Sequence, residues 1–247
     1  MTTRANRLSM VGLVLAIGCA LTALSAGLGF RLGWWHYGTG IAMIAIVFWV
    51  AAGSAVLCAV AAGLAATRAH AHRALVMSLT GLAIAGVMVW VPYDMRMTVS
   101  ALPPIHDITT DLADPPKFVR VAALRKSADH PAVYDGPEVG AQQRKAYPDL
   151  APLVLKAPRD EVFTAAQGAL TSMGLELVAA DAAQGRIEAT ATSLLFGFKD
   201  DVVVRIADDP NGTKVDMRSK SRVGRHDIGM NAKRIRTFLA KLKAAVG

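Results

Sequence analysis

Ser219, Ser221, His226 and Asp227 lie within one nine-residue window near the C-terminus. They are the residue types of a nucleophile, a general base and its orienting carboxylate. No G-x-S-x-G elbow surrounds either serine, and His226 and Asp227 are neighbours in a predicted turn. An envelope hydrolase using Ser221 and His226 is therefore kept as an alternative, and the expectation is that no residue here is catalytic. A second grouping, His106-Asp107 with Asp111, has metal-ligand side chains. They are scattered through Pro-rich chain, where capping of local turns explains them more simply. Neither a metal nor a cofactor is expected. The third grouping is the run Arg222 to Asn231. Gly224 and Gly229 flank a turn between a basic strand and a helix start, where backbone N–H groups with Asn231 and Arg234 could cradle an anion. The other reading is a plain connector capped by Asp227 or Asn231.

The elements that must position these groups follow from pattern. Residues 151–247 read as β-α-β-β-β-β-α. A short strand covers Leu153–Lys156. Pro158 opens a helix with Asp160 and Glu161 near its positive end, and Gly174 closes it. Leu175–Ala180 and Arg186–Thr192 form a strand pair. Asp201–Ala207 and Thr213–Val223 form another, joined by the hairpin-type turn Asp208–Gly212. A last helix begins at Asn231, with Ile235, Phe238, Leu239 and Leu242 on one side. This is an α+β domain with a mostly antiparallel sheet and its helices on one face.

Period-two alternation divides the sheet into two faces. Ile187, Ala189, Val202, Val204, Ile206, Val215 and Met217 share one side with Ser219 and Ser221. Glu188, Thr190, Asp201, Arg205, Asp216, Arg218, Lys220 and Arg222 share the other. Two readings of that charged face stay open. Its arginines, whose planar forks suit carboxylate or phosphate, bind an anionic group. Alternatively they pair across strands with Asp201, Asp216 and Glu188 in a lattice covered by the preceding segment. Candidate ligand-binding residues are Arg205, Arg218, Arg222, Gly224, Gly229, Asn231 and Arg234.

The preceding segment, residues 94–150, contains Pro103-Pro104, Pro115-Pro116, Pro131, Pro137 and Pro148. Proline at this density favours extended and turn backbone. Ile105, Ile108, Leu112, Phe118, Val119 and Tyr147 would hold such an arm on the core. The first acidic side chain in the chain is Asp94. Before it lie three apolar stretches, about residues 8–30, 41–65 and 74–92. At about 1.5 Å per residue each can cross a hydrocarbon core of about 30 Å. Residues 1–93 are thus a membrane anchor without a mid-span charge, which argues against an ion path. In the second span Ala51, Ala55, Ala59 and Gly63 repeat every fourth residue, a small-residue stripe for helix packing.

Arg4, Arg7, Arg68 and Arg73 bias the N-terminal tail and second connection to the cytoplasm, against Arg31 alone in the first. The C-terminal domain then lies outside, periplasmic on a bacterial inner membrane. Cleavage after Ser25, were the first span a signal peptide, leaves that placement unchanged. Both cysteines, Cys19 and Cys58, fall inside spans, so the head has no thiol chemistry. The net charge of +8 concentrates late: Lys214 to Lys243 holds ten Lys and Arg against Asp216 and Asp227. Such a bias points to an anionic lipid, a cell-wall component or an envelope protein as partner. Nucleic acid is not expected, because no aromatics interleave the basic residues.

The run Gly185 to Lys241 resembles the DUF1499 family, a domain of unknown function in bacterial envelope proteins and plastids. Matching features are Ile187 to Thr190, Asp200-Asp201 before Arg205-Ile206, Asp216 to Asp227, and Asn231 to Ile235. Upstream, Pro103 to Asp111, the Pro-Pro-Lys-Phe run and Ala146 to Leu150 also match. The resemblance covers about residues 100–245. It implies that the arm belongs to the domain, and it implies no activity. The function expected is that of a non-enzymatic membrane protein whose head binds an anionic envelope component or partner protein. A purely structural subunit of an envelope complex is a second alternative.

Overall fold

Three helices long and apolar enough to cross a membrane open the chain: α1 (Arg4–Arg31), α2 (Tyr37–Ala66) and α3 (His72–Ala101). The computed structural model describes residues 4–68 and 70–247. Two compact units are present, one of residues up to Thr98 with Leu194–Gly197, the other of Val99–Ser193 with Phe198–Gly247.

Small side chains organise the first unit. Buried positions on α1 include Ala5, Ser9, Gly12, Ala16 and Cys19; on α2, Val47, Ala51, Ser54, Cys58, Ala61 and Ala65; on α3, Ala74, Ser78, Gly81 and Ala85. The steps alternate four and three on all three helices. That average of about 3.5 residues is the repeat that keeps a seam on its neighbour in a left-handed bundle. The expected stripe every fourth residue is corrected here, since Ala59 and Gly63 are exposed. At 3.6 residues per turn, a four-residue step drifts about 40° each time and leaves the contact. Hydrogen bonds cross the seam: Ser54 Oγ donates to the Gly12 carbonyl at 2.8 Å, Cys19 Sγ to the Val47 carbonyl at 3.9 Å, and Ser9 Oγ lies 2.9 Å from Ser78 Oγ. α3 extends past the expected boundary near residue 92 through Pro92 itself. Membrane helices tolerate proline where local adjustments satisfy the freed carbonyl.

The second unit is built on a six-stranded antiparallel sheet ordered β1-β6-β5-β4-β3, with β2 also on β6. The strands are β1 (Asp107–Thr109), β2 (Leu153–Leu155), β3 (Glu176–Asp181), β4 (Arg186–Thr192), β5 (Lys199–Asp209) and β6 (Gly212–Ser221). β1 and β2 share the outer edge of β6, opposite Arg218–Lys220 and Thr213–Val215 respectively. That edge is therefore covered rather than left open for pairing. The β5–β6 hairpin closes at Asp209 opposite Gly212, as the turn residues predicted. Gly212 has φ +137°, and a Cβ there would run into the Leu155 carbonyl.

Helices α5 (Arg159–Ser172) and α6 (Met230–Val246) bury Val162, Phe163, Ala166, Leu170, Ile235, Phe238 and Leu242. These pack on Ile187, Ala189, Val202, Val204, Ile206, Val215 and Met217, the face expected from alternation. Part of the arm lies on the opposite face, while its Ile105, Ile108, Tyr147 and Leu150 join the helix-side core, and the arm is more ordered than its prolines suggested. It supplies β1, a 3-10 turn (Val121–Leu124) and α4 (Pro137–Ala146). Pro137 starts α4 at a position where a missing N–H costs nothing. Phe118 and Val121 form a small second core with Val203.

Candidate functional site

The arm meets the charged face through ion pairs, and Arg186, Arg205, Lys214, Arg218 and Lys220 of the strands each have an acidic partner. Arg218, 1% exposed, donates from Nε and Nη2 to the two oxygens of Asp107, both at 2.8 Å. It also donates to the carbonyls of Pro116 and Ala132. Its guanidinium lies 4.7 Å from the Phe118 ring centre and 5.4 Å from that of Tyr134. Lys220, fully buried, donates to the Val133 carbonyl and Asp135, with Asp107 at 3.4 Å. Arg222 and Arg125 converge on Asp201, at 2.8 and 2.9 Å. Arg205 is shared among Asp111, Asp114 and Asp216. Glu188 accepts from the N–H groups of Val119 and Val121, capping the 3-10 turn, with Arg186 3.1 Å away.

These contacts are those of the cross-strand lattice, widened by arm residues Asp107, Asp111, Asp114, Arg125 and Asp135. Asp111 caps its local turn as expected, its Oδ1 accepting from the Ala113 and Asp114 N–H groups at 3.0 Å, while its Oδ2 faces Arg205 and Lys214. Asp107 instead faces the β6 cations Arg218 and Lys220. Burial would raise the Asp111 carboxyl, but the Asp114 N–H, the Lys214 ammonium and the Ala113 N–H outweigh it and hold the group below its usual range. Arg218 and Arg222 are buried on separate aspartates, whereas Arg205 is half-buried, with its fork shared between the buried Asp216 and the exposed Asp114.

His106 and His130 stack at 4.0 Å beside this lattice. His130 Nε2 lies 3.1 Å from the Gly224 carbonyl. His106 Nε2 is 3.3 Å from Asp135 Oδ2 but lacks hydrogen-bond alignment, so that nitrogen has no hydrogen-bond partner among the described residues. Burial first, then the neighbouring His130, pushes the His106 imidazole below its ordinary pKa.

The turn before α6 is occupied from within. Asp227 Oδ1 accepts from Gly229 N at 2.9 Å and Oδ2 from Asn231 N at 2.8 Å. The anion at this helix start is thus the chain's own carboxylate, which burial raises above the usual range despite those two N–H groups. Gly224 and Gly229 have φ +90° and +74° and shape the turn. Ser221 Oγ accepts from Asn231 Nδ2 at 3.1 Å, while His226 Nε2 faces the Leu102 carbonyl at 3.1 Å. Ser221 and His226 are thus engaged with different partners. Among the described residues no group of three His, Cys, Asp or Glu side chains is placed to hold a metal ion.

Arg234 differs from the other arginines. Its Nη1 donates to Ser219 Oγ and Asn231 Oδ1, and its Nη2 to Asp200 Oδ2. Of the five guanidinium N–H donors, Nε–H and one on Nη2 have no acceptor among the described residues. Arg234 lines a groove of about 350 Å³ between α6 and the α5–β3–β4 side of the sheet. Met173, Leu175 and Met230 supply apolar lining, and Lys233 and Lys241 supply charge. No acid lies within ion-pair distance of either lysine among the described residues. Sequence analysis missed both lysines, although Lys233, Thr237 and Lys241 recur every fourth residue beside the apolar stripe of α6.

Candidate membrane-crossing helices and an α+β head whose sheet is clasped by its own arm define the class of protein. The chain belongs to the family described as protein of unknown function, DUF1499, which matches residues 107–242. The match begins at the aspartate that grips Arg218 and so takes in the arm. A comparison with functionally curated proteins finds none that matches.

Proposed function

We propose that the head is a binding module, not a catalyst, and that it holds an anionic envelope component or partner protein on the cationic side of α6. The observation that carries this reading is the contrast in pairing. Arg205, Arg218 and Arg222 are neutralised by aspartates, whereas Lys233 and Lys241 have no acid at hand. An ammonium without a counter-charge beside a concave surface favours an external anion. The hydrolase reading has less support, because Ser221 is hydrogen-bonded to Asn231 rather than to a histidine. The arginine bias of the connections supports a bacterial inner membrane with the N-terminus in the cytoplasm and the head outside.

Native mass spectrometry of the full chain, released gently from its own membrane, tests the reading. The expected result is an anionic adduct that disappears in a Lys233→Glu/Lys241→Glu variant of unchanged thermal stability. An adduct retained by that variant places the ligand elsewhere.

A further inference from the structure

We infer that the groove beside α6 takes an anionic acyl lipid, with the headgroup phosphate or carboxylate at Lys233, Arg234 and Lys241 and the start of the chain along Met173, Leu175 and Met230. The inference rests on the binding reading above and names the ligand's class.

Two surfaces of different chemistry meet in this groove. Its volume of about 350 Å³ falls at the lower end of ligand sites, large enough for a headgroup and part of a chain. Lys233 and Lys241 are exposed and lie two helical turns apart on one face of α6. Arg234 follows Lys233 on the same turn of α6 and is held by Asp200, Ser219 and Asn231 with two N–H donors left over. A fixed guanidinium flanked by mobile ammonium groups suits an oxyanion, the fork setting geometry and the lysines adding charge. Met230, 50% exposed, precedes Lys233 and Arg234 by three and four residues and so shares their side of α6. Met173 and Leu175 flank Gly174, whose φ of +76° ends α5 and turns the chain into β3. Methionine adapts to irregular apolar partners such as acyl chains. A purely polar anion would leave Met230 in water, since Leu175 and Met173 already pack on the core, and a neutral lipid would leave the lysines unpaired. An anionic amphiphile satisfies both.

The test presents the full chain, in a non-ionic detergent, with three probes at submicellar concentration: lysophosphatidylglycerol, lysophosphatidylcholine and glycerol phosphate. Binding is read by native mass spectrometry. The expected pattern is one tightly held lysophosphatidylglycerol, with the other two probes roughly tenfold weaker or more, as expected for losing charge-assisted contacts or apolar burial. Both Lys233→Glu/Lys241→Glu and Met230→Asp should weaken it by a similar factor, with thermal unfolding showing each variant folded. Glycerol phosphate binding as tightly as the lysolipid, with Met230→Asp without effect, overturns the lipid assignment and leaves the anion-binding reading intact. Equal binding of all three probes by the parent and the lysine variant overturns both.

Discussion

Arg218 is the residue on which the head's polar interior turns. Its charge is buried with that of Asp107 and is hydrogen-bonded on several sides. Removing one partner of such a pair leaves the other as an uncompensated buried ion. Arg218→Ala is therefore expected to destabilise the head by roughly 3–5 kcal/mol, read by denaturant unfolding. A loss below about 1 kcal/mol, the scale of a solvent-exposed pair, would show that the pair is not sealed from water. His106 gives a pH signature. Its folded pKa is depressed, so the unfolded chain binds the extra proton more readily. Stability is fully present above the ordinary imidazole pKa of about 6.5 and falls as pH drops below it. His106→Gln should flatten that slope, and an unchanged slope would assign it to another group. The depressed Asp111 acts in a separate window. Its contribution is present above its unfolded value near 4 and is lost as pH falls through the lower folded value.

Elements differ in how plainly the sequence announces them. β6 was legible because the alternation of Val215, Met217 and Ser219 with Asp216, Arg218 and Lys220 leaves one reading of its two faces, and β5 because the turn Asp208–Gly212 pairs it with β6. Helix α5 carried its start and stop in Pro158, Asp160, Glu161 and Gly174. β1 was not legible: three residues are too few for a period, and its existence depends on the free edge of β6, a tertiary fact. The arm's ion pairs were hidden for the same reason, since Asp107 and Arg218 are far apart in sequence and meet only through that pairing. The groove at α6 was half legible. Arg234 was singled out, but Lys233 and Lys241 looked like ordinary solvated charges until the neighbouring apolar wall was known. In the membrane-type helices the alternating four-and-three spacing was present in the sequence, although a simpler stripe was read instead. Gly12 and Gly81 both face the Cys58 sulfur, where a Cβ would collide. Gly12→Leu should therefore part the helices and make Cys58 reactive to a membrane-permeant maleimide. Continued protection of Cys58 would mean that α1 is not packed there.

At the scale of the whole molecule, the positive charge divides into two populations. One is internal and clasps the arm to the sheet, so the family match extending over both follows from a single cooperative structure. The other is the pair Lys233 and Lys241 on α6, which have no acid within ion-pair distance among the described residues, while Arg234 and Arg236 of the same helix pair with Asp200 and Asp149. This division is what separates structure from binding in the account: substitutions in the first should cost stability, and substitutions in the second should cost ligand. The most direct test is thermal unfolding of the full chain in nanodiscs of zwitterionic lipid with and without added anionic lipid, since a ligand that binds only the folded head raises its midpoint. The account predicts a higher midpoint with anionic lipid for the parent chain and no rise for Lys233→Glu/Lys241→Glu. The same rise in both chains would contradict it and place the anionic contact away from α6.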